Sequence, residues 1–197
     1  MNAPLRIDLK DASTFPSRRV EDWKWTDLCR FLREAPPASP ALTVPPGGPF
    51  ATLGGDEIAF GNGHGGRDFS GAGTLRLRFV SQADGTGHQG RVSVTAKAGE
   101  QLLVLESYEG SGSAYVANAS LTFVVEPGAH LTRIVLLEDA ADAISLSAAD
   151  VSLGAGAAFN QTVLASGARL QRHETRVAHP GQGATVRLDG EIGRAHV

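Results

Sequence analysis

The stretch LTFVVEPGAHLTRIVLLE, residues 121–138, decides the fold of this chain. On both sides of its Pro-Gly turn, apolar residues recur with a period of two, which is the pattern of a strand that buries one face. The same order of strand, small-residue turn and strand occurs three more times. The further stretches are VSVTAKAGEQLLVLE (92–106), VSLGAGAAFNQTVLA (151–165) and TRVAHPGQGATVRLDG (175–190).

The turn glycines of these four stretches are evenly spaced. Gly99, Gly128, Gly156 and Gly183 follow one another at intervals of 29, 28 and 27 residues. A near-constant period carried by strands, with no helical stretch between them, is typical of a β-solenoid in which each repeat forms one coil. Glycine suits the corners because it adopts positive φ without a Cβ clash. An antiparallel sandwich with evenly spaced hairpins is the alternative, and the tight spacing over three intervals favours the solenoid.

In a solenoid the inward side chains of one coil stack on those of the next, so that the core is continuous although no coil buries its face alone. The alternation predicts which side chains point inward. They are Val92, Val94, Leu121, Phe123, Val151, Leu153 and Val186.

Composition divides the chain into three parts. All 24 glycines lie at or after Gly47, and six of the ten prolines lie between Pro36 and Pro49. Such a proline-rich run favours an extended, semi-rigid connector. We therefore expect a helical segment over residues 1–35, a linker over residues 36–50 and a β-structured core over residues 51–197.

A short amphipathic helix is predicted inside the first part. Thr26 is a candidate N-cap, and Leu28, Phe31 and Leu32 follow with helical spacing. The helix should end near Glu34, because proline disfavours helical dihedral angles in the residue before it. After residue 50 helix signals are weak, and residues 138–149 are predicted as a loop that leads into a strand.

Charge and cysteine content exclude several classes of protein. The net charge of −3 and the pI near 6.1 provide no field that would attract nucleic acid or anionic lipid. The single cysteine, Cys29, cannot form an intramolecular disulfide, and we interpret it as an unreactive helical residue. No stretch approaches the roughly 18 apolar residues of a membrane span. These features predict a cytoplasmic protein that binds neither nucleic acid nor membrane.

Two motifs that resemble binding sites are rejected on context. Residues 61–66, GNGHGG, match the glycine pattern of a dinucleotide-binding loop, but a turn-like sequence follows where a helix should begin. His173 and His179 lie six residues apart and are weak candidates for iron or zinc ligands, since Pro180 and the turn-forming residues near it do not favour one unbroken strand that would place both on the same face. No metal site is predicted.

A β-helical enzyme that acts on carbohydrate would need carboxylates stacked on one face of adjacent coils. Glu109 and Glu138 each lie ten residues after their turn glycine and are expected to stack. The next two coils offer Ser166 and Gly193 at that offset. Because the row of carboxylates stops after two, a chain without catalytic residues is the favoured interpretation, and the carbohydrate enzyme is the alternative.

A family resemblance begins at residues 15–28, FPSRRVEDWKWTDL. The stretch closely resembles the N-terminal signature of the SufD branch of the SufB/SufD family of iron–sulfur cluster assembly scaffolds. The residues that carry the signature are Arg18, Arg19, Glu21, Trp23, Lys24, Trp25 and Thr26. Physically the stretch is expected to act as an anchor in which both tryptophans pack and the charged residues form ion pairs around them.

A second block, residues 105–110 with residues 118–126 and 128–131, resembles the core shared by SufB and SufD. The SufB branch is less favoured because it does not usually open with the Arg-x-Glu-x-Trp-Lys element. The resemblance implies a mainly β fold, a right-handed parallel β-helix preceded by a small helical segment.

The resemblance also implies a place in the SufBCD complex. There SufD pairs with SufB through the β-helices, and C-terminal helical regions bind the SufC ATPase. The cluster is assembled at the SufB–SufD interface, so that no cofactor is expected on this chain alone, and SufD is associated with iron acquisition.

Relatives continue past a coil that residues 193–197 begin, so we expect a truncated chain. The family's interface histidine and SufC-binding region would then lie beyond residue 197, and His196 does not take the histidine's role. An unstacked final coil would expose an edge through which a homodimer could form. A non-functional fragment is a further alternative, because the contact with the ATPase would be missing.

Overall fold

The computed structural model describes residues 7–178 and 181–192. Most of them form β-strands that belong to two sheets. The strands are β1 (Asp56–Gly61), β2 (His64–Gly65), β3 (Phe69–Gly71), β4 (Gly73–Asp84), β5 (Gly87–Ala96), β6 (Gln101–Ser113), β7 (Val116–Val125), β8 (His130–Asp139), β9 (Ile144–Leu153), β10 (Ala158–Gly167), β11 (Leu170–Ala178) and β12 (Thr185–Ile192).

The strands alternate between the two sheets along the chain. The first sheet has the order β12-β10-β8-β6-β4-β1-β2, and the second has the order β11-β9-β7-β5-β3. Apart from the hairpin of β1 with β2, the pairings are parallel. Two successive strands therefore make one coil of a parallel β-solenoid of about four turns. The parallel pairing confirms the solenoid and excludes the antiparallel sandwich.

The four glycines predicted as corners of the repeat lie at the turns that lead from the second sheet back to the first. Gly99, Gly128, Gly156 and Gly183 have φ between +67° and +76°. At the opposite corner three of the four connections have only two residues, and Gly85, Ala114 and Ala168 take positive φ of 58°, 48° and 59° there.

Register aligns the inward side chains of neighbouring coils. Val94 pairs with Phe123 on the next coil, and Phe123 pairs with Val151 on the one after. Aromatic rings stack in the same way, because Phe79 lies 5.0 Å from Phe60 and 4.9 Å from Tyr108 between ring centroids. The core is therefore one continuous column between the sheets.

Six of the seven side chains predicted to face inward are fully or almost fully buried. Val186 is the exception, since 40% of its surface is exposed. Its strand, β12, lies at the edge of the first sheet and is paired on one side only, with β10, in the described part of the chain. Val186 pairs with the buried Phe159 and therefore lies on the inward face as predicted, but it is not buried, because a residue at the end of the described column lacks the neighbour that covers the others.

The N-terminal segment contains two 3₁₀ turns, Ala12–Thr14 and Glu21–Trp23, and one helix, α1 (Leu28–Phe31). The helix is shorter than its pattern predicts. Its N-cap is Asp27, whose side chain makes no capping hydrogen bond, and Leu32 is already extended. Without a stable cap, the four-residue helix depends on tertiary packing.

That packing joins the segment to the outer face of the second sheet. The apolar side chains of the interface form one cluster. They are Leu9, Phe15, Trp23, Leu28, Val116, Ile144 and Leu146. Within the described residues, no helix has the length and hydrophobicity needed to span a bilayer.

The proline-rich stretch, residues 36–50, is bound to the solenoid along its course. Ala38 bridges to Gly87 in parallel fashion, and Asn62 donates to the carbonyl of Pro40 at 2.9 Å. Further along, Arg78 donates to the carbonyl of Pro45 at 2.8 Å. The stretch therefore acts as a strap, and a further 3₁₀ turn, Ala51–Leu53, leads from it into β1.

Residues 138–149 contain no helix. They comprise the end of β8, a turn and the beginning of β9. The prediction of a loop that leads into a strand is confirmed.

Candidate functional site

A buried ion pair lies in the interior of the solenoid. The guanidinium of Arg133 on β8 donates to both carboxylate oxygens of Glu106 on β6, at 2.7 and 2.8 Å. Neither side chain has any solvent exposure. Two charges that are fully removed from water require such paired, directional hydrogen bonds, because an unpaired charge there would be very costly.

Three further residues surround the guanidinium of Arg133. Gln161 on β10 accepts a hydrogen bond from Nη1 at 2.7 Å, and Thr175 on β11 accepts a weaker one at 3.3 Å. The ring of Phe123 on β7 lies 4.9 Å from the guanidinium carbon and adds a cation–π contact. The pair is therefore held by residues from both sheets.

Two uncharged rings adjoin this ion pair. Nδ1 of His173 hydrogen-bonds to the hydroxyl of Ser147 at 2.6 Å, and the ring meets Tyr108 edge-on with centroids 6.5 Å apart. His173 Nε2 and the Tyr108 hydroxyl are buried and have no hydrogen-bond partner among the described residues. Burial raises the pKa of Tyr108 well above its ordinary value. Burial and then the charge of Arg133 lower the pKa of His173 to about 4, although Glu106 acts in the opposite direction.

At neutral pH these rings are therefore uncharged hydrogen-bonding groups. Of the two weak metal-ligand candidates, only His173 lies within the described residues, because His179 falls outside them, as does His196. In the part of the chain that the structure describes, no group of three or more His, Cys, Asp or Glu side chains is arranged to hold a metal ion.

A second ionic cluster lies on the outer face of the first sheet. Arg78 donates to both oxygens of Glu109 at 2.8 Å and to Glu57 at 3.2 Å, and Arg76 pairs with the other oxygen of Glu57 at 2.6 Å. Burial opposes ionisation of Glu109, but hydrogen bonds from Arg78 and Ser107 outweigh it and lower its pKa. The cluster also holds the strap, since both arginines donate to strap carbonyls.

The carboxylate row considered in the sequence exists in the register. Glu109 pairs with Glu138 on the next coil, and Glu138 pairs with Ser166 on the one after. Gly193, the fourth member, lies outside the described residues. Because Glu109 is engaged by Arg78 and Ser107, its carboxylate has the surroundings of a structural ion pair.

The signature tryptophans have opposite environments. Trp23 is 4% exposed and Arg172 lies 4.2 Å from its ring centroid, whereas Trp25 is 91% exposed. The expectation that both tryptophans pack is wrong for Trp25. Lys24 and Glu21 approach to 3.9 Å, and Thr26 accepts a hydrogen bond from Arg172 at 3.3 Å.

The remaining charged signature residues do not form the expected ring of ion pairs. No carboxylate among the described residues lies within 4.0 Å of Arg18 or Arg19. Both side chains are exposed. Cys29 is half-buried, and its thiol donates to the carbonyl of Phe15 at 3.1 Å.

The glycine run at residues 61–66 forms a hairpin. Asn62 and Gly63 take φ of 48° and 75° between β1 and β2, so that a strand follows where a nucleotide-binding loop requires a helix. Asn62 also hydrogen-bonds to the backbone of Gln82 and Pro40. The run therefore closes the hairpin and joins it to the strap.

With this geometry established, a comparison with known families decides the ancestry of the chain. The model described as "SUF system FeS cluster assembly, SufBD core domain" matches residues 79–192. The match covers more than half of the chain and runs from β4 to the end of β12. The chain belongs to the SufB/SufD family. Its family places it in iron–sulfur cluster assembly. Searches of curated proteins and of solved structures found no match.

Sequence reasoning missed the buried pair of this SufB/SufD core. A signal was present, because Glu106 continues the inward alternation of Leu102 and Val104, and Arg133 interrupts that of Leu131 and Val135. Opposite charges at inward positions one period apart are therefore a sequence sign of a buried ion pair in a solenoid.

Proposed function

We propose that this chain is a SufD-type scaffold subunit of a SufBCD complex, pairing with SufB and, in the complete assembly, with the SufC ATPase. The observation that carries the proposal is the match of the SufBD core to the described solenoid. The resemblance of residues 15–28 to the SufD signature supports the choice of SufD, and it lies outside the matched region.

The proposed role is to hold partners in position, with no reaction catalysed by this chain. Two ion pairs support this role, because Glu106 and Arg133 neutralise each other in the interior and Glu109 is bound by Arg78 on the outer face of the first sheet. In this proposal no cofactor is resident on the chain alone. Iron is cargo, and the cluster is assembled where SufB and SufD meet.

The test is co-expression of the 197-residue chain with SufB, with and without SufC. We expect a complex of this chain with SufB on size-exclusion chromatography with light scattering. Iron and sulfide should then yield a cluster absorption in the pair that exceeds that of SufB alone. A control run of the chain alone shows whether it forms a homodimer. Pairing with SufB can then be distinguished from self-association.

Failure of the chain to associate with SufB, under conditions where both are folded by circular dichroism, would contradict the SufD assignment. Hydrolysis of a glycan by the purified chain would contradict the non-enzymatic role. A Glu109→Gln variant distinguishes that hydrolysis from contamination, because a row of carboxylates cannot act without its first member.

A further inference from the structure

Trp25 is the most exposed large apolar side chain in the described part of the chain. Only 9% of its surface is covered, and the ammonium group of Lys24 lies 5.4 Å from its ring centroid. An exposed tryptophan keeps a large apolar area in water. The fold itself gains nothing from that area, so the side chain is available to contact another molecule.

The backbone that carries Trp25 is fixed on the solenoid. Two residues earlier, Trp23 is buried and stacks with Arg172 at 4.2 Å, and three residues later Leu28 has no exposure. Between them, Thr26 accepts a hydrogen bond from Arg172 at 3.3 Å. Trp25 is therefore presented from an anchored segment, which lowers the entropy lost when a partner binds.

A shallow, open basic depression lies on the same segment. Its volume is about 410 Å³, and its lining includes Arg18, Arg19, Arg30 and Asp27. Among the described residues, none of the three arginines has a carboxylate within 4.0 Å. Three guanidinium groups and one carboxylate leave the site positively charged on a chain whose net charge is −3.

We infer that residues 17–30 form a docking surface for an acidic segment of another protein. Trp25 inserts into an apolar part of that partner, and Arg18, Arg19 and Arg30 pair with its carboxylates. Tryptophan and arginine are the residues that most often dominate binding energy at protein interfaces. The tryptophan argues for a protein partner, because a small free anion would leave its apolar surface uncovered.

The surface is separate from the matched solenoid, and the inference does not depend on the proposed pairing with SufB. A probe of defined chemistry tests it. The full chain is immobilised and exposed to two libraries of short displayed peptides that share random positions. One library has Asp and Glu at its fixed positions, and the other has Lys and Arg there.

We expect enrichment from the acidic library only, with an aliphatic or aromatic residue recurring in the selected peptides. A selected peptide should change the emission of Trp25, the only solvent-exposed one of the chain's two tryptophans. Trp25→Ala should weaken binding about 30-fold or more, the loss expected of a residue that dominates an interface. The double variant Arg18→Ala with Arg19→Ala should weaken binding and reduce its dependence on salt.

Two exposed residues elsewhere provide matched controls. Leu53→Ala removes an apolar side chain that is 60% exposed, and Arg67→Ala removes an exposed charge between β2 and β3. Both should change affinity by less than about twofold. Circular dichroism should be the same for the chain and its four variants, because none of the altered side chains belongs to the core.

Three outcomes would overturn the inference. The first is no preference for the acidic library over the basic one. The second is equal affinity of the selected peptide for the chain and for Trp25→Ala. The third is a combination of two results: the chain binds the selected peptide equally well when its apolar residue is replaced by serine, and inorganic phosphate competes fully for binding. That combination would identify a simple anion site.

Discussion

Arg133 and Glu106 lie on neighbouring coils and form a doubly hydrogen-bonded ion pair that is completely shielded from solvent. The pair lies within a mainly apolar column, beside a small group of polar side chains that includes Gln161 and Thr175. Each charge depends on the other, because the interior offers no water to solvate either one alone.

Removing one partner should therefore lower the free energy of unfolding far more than removing both. We expect Arg133→Met to lower the free energy of unfolding by about 3–5 kcal/mol, because Glu106 is then buried without its counter-charge. The double variant Glu106→Leu with Arg133→Met should recover most of that loss. Urea unfolding of the two variants measures the difference.

The control is an ion pair of the same type on the surface. Arg187 and Asp189 are 75% and 47% exposed at the side chain, and Arg187→Met should cost no more than about 1 kcal/mol. Equal costs for Arg133→Met and Arg187→Met would contradict the account of the buried pair.

Stability should fall as Glu109 is protonated. Although burial disfavours its charged form, hydrogen bonds from Arg78 and Ser107 lower its pKa below the ordinary value of 4.5. A lowered pKa in the folded state gives stability that is present above about pH 4.5 and is lost as pH falls through the folded value. Glu109→Gln should remove this contribution and cost about 2 kcal/mol at neutral pH.

Thermal unfolding between neutral and acidic pH measures the effect. Glu100→Gln serves as a control, because Glu100 is exposed and forms no ion pair within the described residues. Identical pH profiles for the chain and for Glu109→Gln would show that the Arg78 pair does not contribute.

Two half-buried histidines should give a second pH dependence. Burial, and then the electrostatic interaction with His64, lower the pKa of His88 to about 4. Burial, and then the charge of Arg133, lower the pKa of His173 to about 4. In the unfolded chain these histidines become protonated as pH falls below about 6.5, whereas in the folded chain they become protonated only near pH 4. Stability should therefore decline across that interval, by on the order of 3 kcal/mol per histidine.

Below about pH 4 the histidine contribution to the decline should end. Histidine NMR signals of His88 and His173 should remain those of neutral imidazole at pH 6. His130→Gln, at an exposed position, controls for the change of residue type. Titration of both His88 and His173 near pH 6.5 would contradict this prediction.

Glycine substitutions should separate backbone strain from steric conflict. Gly156 has φ of +67° and open space where a Cβ would lie, so Gly156→Ala should cost about 1–2 kcal/mol from the left-handed conformation alone. Gly110 has ordinary φ, but a Cβ there would collide with the Tyr115 hydroxyl and the backbone near Asp139. Gly110→Ala should therefore lower the free energy of unfolding more than Gly156→Ala does. Urea unfolding of both variants measures the two losses.

The two signature tryptophans should differ in their effect on stability. Trp23→Ala removes a buried ring from the interface with the second sheet and should cost about 3–5 kcal/mol. Trp25→Ala removes a ring that is 91% exposed and should change stability by no more than about 0.5 kcal/mol. Urea unfolding followed by circular dichroism compares them, and similar losses would show that Trp25 packs.

The strands and the period of the coil were predictable because both follow from local patterns. Leu75 and Leu77 alternate with Arg76, and the apolar pair is buried while the arginine reaches the outer face. The length of α1 was less predictable, since a weak helix ends where its tertiary contacts end. The hydrogen bonds that hold the strap on the solenoid could not be predicted either, because their donors lie in parts of the chain distant in sequence.

The sequence by itself determined the mainly β fold, the period of the solenoid and its glycine corners, since alternation and backbone freedom are properties of the chain. Only the tertiary structure decided that Val186 is exposed, that Trp23 is buried while Trp25 is not, and that Glu106 meets Arg133. Burial and charge pairing depend on which residue of another coil or segment arrives beside a side chain. That neighbour is fixed by stacking and docking, which no local pattern contains.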